Sequence, residues 1–107
     1  LDACVRMANL VVNNSGRGID WVHMPVPAHR ADDDYFRPLA DLDIGDTRVV
    51  LGVVQYTDGV EGTKRRIDAG KKFLADFAIA TECGLGRYEP EQLEDLLKIH
   101  HGAAQLL

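Results

Sequence analysis

Three short apolar runs rich in β-forming residues begin near positions 19, 48 and 77, so one strand-plus-helix unit recurs about every 29 residues. The runs are "IDWVHM" from Ile19 to Met24, "RVVLGVVQY" from Arg48 to Tyr56, and "FAIAT" from Phe77 to Thr81. No two-residue hairpin signal joins them. A strand, a crossover and another strand at this spacing require parallel pairing with right-handed connections. The middle run is nearly continuous and β-branched, as expected for a strand covered on both faces.

The segments between the runs carry helical signals. Residues 2–14 place Cys4, Ala8 and Val11 on one face and Asp2, Arg6, Asn9 and Asn13 on the other. Asn14-Ser15-Gly16 then supplies a stop. Pro25 and Pro27 close the first strand, and Asp33 or Asp34 is expected to cap a short helix through Leu42 that contains Pro38. Thr63 is expected to cap the next helix, with Ile67, Gly70 and Leu74 inward and Lys64, Arg65, Lys71 and Lys72 in water. Pro90 opens the last helix, with Leu93, Leu96, Leu97 and His100 on one side. Three parallel strands with a leading helix leave apolar edges uncovered. The 107 residues are therefore expected to form a single partial domain, the last three βα units of a (β/α)8 TIM barrel preceded by one helix. The whole barrel takes about 250 residues.

Composition narrows the partners. The net charge is −5 and the basic residues form no long cluster, so nucleic acid is not an expected partner. No apolar run approaches the roughly 18 residues of a membrane span, and the first residues lack the pattern of a secretory signal. Cys4 and Cys83, about eighty positions apart, make no disulfide framework, so a reducing cytoplasm is the expected compartment and Cys4 reads as packing.

In parallel α/β folds ligands bind at the carboxyl ends of the strands. The unusual residues of this sequence fall there, in "HMPVP", "QYTDGVEGT" and "TECGLGR". Cys83 is either a buried thiol or a thiolate able to bind zinc. Glu82 is a general base, a substrate anchor, or an ion-pair partner of Arg87. Gly84 and Gly86 let the backbone turn tightly or approach a ligand. Asp58 is equally a turn residue and a catalytic candidate, and Thr57 either binds substrate or starts that turn. Glu61 precedes a helix N-terminus whose free N–H groups suit an anion that Asp58 and Glu61 would oppose. His23 shares a strand face with Trp21 and Pro25; it is a proton carrier if that face points into the barrel and a packing group if it points outward.

Together these motifs resemble the cobalamin-independent methionine synthase superfamily, whose barrel is shared with uroporphyrinogen decarboxylase. The likeness runs over nearly the whole chain and is to the C-terminal part of the barrel. "TECGLGR" is similar to the family's Asp-Cys-Gly-Leu segment at the end of the last strand, where the cysteine binds zinc; Cys83 falls on it. The order "DWVHMPVP", "LGVVQYTDGVEGT", "FAIATECGLGR" is closer to the methionine-synthase-like branch. The resemblance implies a methyl or alkyl transfer to a small-molecule thiol such as homocysteine from a methyl donor. Zinc would hold that thiol, with only part of its ligand set in this chain. Asp58, Glu82 and His23 would then handle protons or substrate, and Thr57, Glu61 and Arg87 would bind substrate. Two other readings stand beside it. One is a metal-free lyase of the decarboxylase type, expecting an anion pocket on Arg87 and Arg30; the other is a non-catalytic, truncated piece of a barrel.

Overall fold

A computed structural model describes all 107 residues. The chain is mixed α/β, with three parallel strands and four α-helices. The order is α1 (Asp2–Asn14), β1 (Trp21–Pro25), α2 (Asp33–Phe36), β2 (Arg48–Val54), α3 (Gly59–Lys71), β3 (Ala78–Thr81) and α4 (Pro90–Ala104). Short 3-10 turns cover Arg37–Asp41 and Leu85–Arg87. No helix is long and apolar enough to cross a membrane.

The strands lie in the order β1-β2-β3, every pair parallel. His23 pairs with Val50 and Pro25 with Gly52, while Val50 pairs with Ala78. Before the β1–β2 ladder begins, Thr47 Oγ1 donates to the Ile19 carbonyl at 2.8 Å and Arg48 N–H to that of Asp20 at 3.0 Å.

Side chains alternate along a strand, and registered neighbours share a face. Met24, Val49, Leu51 and Val53 therefore stand on one face, where they join Val5 and Ala8 of α1, Ile67 of α3, and Leu96 and Ala103 of α4 in the core. The other face carries Trp21, His23, Pro25, Val50 and Ala78, all of which keep some exposure. The helices thus cover one face of the sheet and leave the other, the bare face, open at Trp21 and Pro25. Toward the exit of β2, Gly52 and Val54 are nonetheless buried. The continuous apolar run of β2 is expected to be covered on both sides; here Val50 is only half-buried.

Local differences have local causes. Asp32, not Asp33 or Asp34, caps α2, accepting from Tyr35 N–H at 3.1 Å. Pro38 is accommodated because the chain tightens there into a 3-10 turn. Helix α3 begins at Gly59, four residues before the expected cap; Thr63 lies inside it, buried, with Oγ1 donating to the Gly59 carbonyl at 2.8 Å. In α1 the buried pair is Val5 and Ala8, and Val11 faces solvent. Leu97 of α4 is likewise exposed, because the helix rolls Leu96 and Ala103 onto the core.

Candidate functional site

Parallel strands deliver their exits to one rim. Two buried polar side chains tie the first two exits together. Gln55 Nε2 donates to the Val26 carbonyl at 2.7 Å. Arg66, only 1% exposed, donates from Nε to Val53 O at 2.8 Å and from Nη1 to Ala28 O at 2.9 Å. Its Nη1 and Nη2 also grip the two oxygens of Asp58, each at 2.7 Å. This forked geometry is among the strongest available to a carboxylate. The hydrogen bonds from Arg66 hold the Asp58 carboxyl below its ordinary range, helped by the charges of Arg66 and Arg65 and opposed by partial burial. Asp58 is therefore occupied in joining the exits of β1 and β2 through Arg66.

The third exit is built on Gly84, whose φ of +115° suits glycine. The chain turns there, runs through Leu85–Arg87, and returns Tyr88 to the strand end. Tyr88 Oη donates to Glu82 Oε1 at 2.8 Å, and its ring lies 5.9 Å from that of Tyr56, tilted by 50°. Burial, and then the bond to Glu82, push the Tyr88 phenol up, so it stays a neutral donor. Glu82 thus takes Tyr88 as its partner; the expected ion pair with Arg87 does not form. Arg87 is exposed and folds back against Gly84. Cys83 is free and exposed; Thr57 and Glu61 are also exposed, the latter in the first turn of α3.

His23 stands on the bare face, the side turned away from the helices. Its Nε2 is the one buried side-chain nitrogen or oxygen without a hydrogen-bond partner. Such an atom costs about 1–3 kcal/mol if it stays unpaired. The ring leans over Gly52: a Cβ there would lie 3.1 Å from His23 Nε2, and 3.4 Å from both Glu82 Cα and the Thr81 carbonyl. Only a residue without a side chain leaves that space open.

Catalytic zinc keeps about three protein ligands and structural zinc four. No group of three or more His, Cys, Asp or Glu side chains converges anywhere in this chain. The residues present do not by themselves make a zinc centre, and Cys83 fits only as a single ligand of a shared one. One cleft of about 520 Å³ opens at the amino ends of the strands, around Ile44, Thr47 and Leu74, and another of about 480 Å³ lies between α1 and β1. Of the candidate residues, only His23 lines either of them, the one between α1 and β1.

Three residues that build this rim escape a reading of the sequence. Arg66 has a visible signal, since Thr63, Arg66, Ile67 and Gly70 follow the i, i+3, i+4, i+7 stripe of a buried helix face. Gly52 interrupts a β-branched run, the mark of a close approach. Tyr88 has none, because its meeting with Glu82 depends on the turn at Gly84. Comparison of the chain with protein-family models, with curated proteins and with solved structures gives no match in any of the three.

Proposed function

We propose that these residues are the C-terminal portion of a (β/α)8 barrel enzyme that transfers a methyl or other alkyl group to a small-molecule thiol such as homocysteine, in the cytoplasm. The common rim carries this reading: three parallel strands end side by side, with an exposed thiol, a carboxylate and an imidazole at or beside their exits. The bare face of the sheet and the unpaired outer edges of β1 and β3 support the barrel, because each edge can accept another parallel strand.

In this reading Cys83 supplies one thiolate to zinc, and the remaining ligands come from segments outside these residues. Bound zinc would stabilise a substrate thiolate near neutral pH. The chain's own side chains do the rest. His23 and Glu82 manage the proton that the departing group of the methyl donor needs. Thr57, Glu61 and Arg87 contact substrate from exposed positions, and Arg87 is the rim cation without a carboxylate partner. Asp58 acts at one remove, holding Arg66 and through it the two exits.

Metal content of the full-length protein tests the reading. Stoichiometric zinc is expected, lost in Cys83→Ser together with alkylation of the thiol. Zinc content unchanged by the substitution removes Cys83 as a ligand. Loss of a substrate carboxyl group that survives chelation would put the metal-free lyase in its place.

A further inference from the structure

Glu82 has one partner in hand and a second within reach. It follows the last residue of β3, and its backbone passes over Gly52 on the side where the His23 ring lies. Its Cα and His23 Nε2 both lie close to the point where a Gly52 side chain would begin, at 3.4 and 3.1 Å. A glutamate arm spans that gap. Its carboxylate instead accepts from Tyr88 Oη at 2.8 Å, and Nε2 is left sealed with no partner. A buried ring nitrogen without a partner, beside a carboxylate held by an uncharged phenol, describes a site with two hydrogen-bond arrangements, one of which is made.

We propose that Glu82 is a two-position carboxylate that leaves Tyr88 for Nε2 of His23 when substrate engages the rim, forming a carboxylate–imidazole pair across the gap at Gly52. In that pair Nε2–H donates to Glu82, and Nδ1 becomes the ring's base. A hydrogen bond to a carboxylate fixes which nitrogen of an imidazole carries the proton and orients the ring. Tyr88 is then a positioning residue that parks the carboxylate, and Gly52 is the opening that lets it pass.

The exchange rests on the reading of the rim as the substrate site, but its test needs no turnover. The full-length protein, labelled with 15N-histidine and with His23 assigned through His23→Gln, is observed at one fixed pH. Tyr88→Phe removes the competing donor. A low-field, slowly exchanging Nε2–H resonance of His23 should appear in that variant. It should vanish again in Tyr88→Phe/Glu82→Ala, and in Tyr88→Phe/Gly52→Ala, where the gap is filled. A folded Tyr88→Phe protein whose His23 resonances match the wild type overturns the exchange, as does a new resonance that persists without Glu82. If the resonance behaves as stated and no thiol is alkylated, the pair stands and the transferase reading falls.

Discussion

At the scale of single residues, the pair of Asp58 and Arg66 does most to hold the rim in place. Arg66 is 1% exposed, so its charge depends on the two oxygens it grips. Removing one partner of a buried ion pair leaves the other charge unmatched, at a cost of about 3–5 kcal/mol. Asp58 keeps some exposure, and asparagine still accepts one bond. Asp58→Asn should therefore cost less, about 2–3 kcal/mol by denaturant unfolding. The pH dependence follows from the sign of the shift. The folded-state pKa of Asp58 is lowered, so its contribution is fully present above the ordinary carboxylate value near ~4 and is lost as pH falls through the lowered one. The stability gap between wild type and Asp58→Asn should be flat from neutral pH down to about 5 and close in more acid solution. A gap that stays constant into strong acid would show that Asp58 contributes shape and not charge. None of this is legible in "TDG", which reads equally as a turn and as a catalytic candidate; the partner that changes its meaning lies eight residues on, in a neighbouring element.

At the scale of elements, the sequence spacing carries the direction and order of the strands, because a crossover of that length permits little else. Helix boundaries were less legible. Thr63 has the chemistry of a cap, and Gly59 and Gly62 read as loop. Yet α3 starts at Gly59, since packing of Asp58 and Arg66 outweighs the weak propensity of two glycines. Gly62 shows why a better helix former is not tolerated. A Cβ at Gly62 would stand 1.8 Å from the Asp58 carboxyl carbon. Alanine in place of glycine ordinarily stabilises a helix by up to about 1 kcal/mol. Here the carboxylate must move, and the ion pair it makes is worth more than that gain. Gly62→Ala should destabilise by about 2 kcal/mol or more. In an Asp58→Ala background, where the clash is gone, the same change should be neutral or stabilising. Additive effects of the two substitutions would mean that the first turn of α3 is held by something other than this contact.

At the scale of the whole molecule, the bare face governs behaviour in solution. The Cα radius of gyration is 14.0 Å, and the principal extents are 42 × 27 × 22 Å. A compact domain of about 100 residues has a radius near 13 Å, so this one is somewhat elongated. Trp21, on the bare face, is 60% exposed, and Met7 and Leu10 of α1 are each 62% exposed. Contiguous apolar surface and unpaired strand edges recruit other chains unless something covers them. β3, "AIAT", carries no charge or proline to blunt its edge. Residues 1–107 produced alone should therefore self-associate in sedimentation experiments, increasingly so at higher concentration. Trp21→Glu should weaken the association by placing a charge on the bare face without touching the core. Within the proposed barrel, where further strands would cover that face, the same substitution should instead destabilise folding. Residues 1–107 that are monomeric, unfold cooperatively and show solvent-exposed Trp21 emission would instead be a self-sufficient module. The rim of Glu82, Cys83 and His23 would then have to work without further strands.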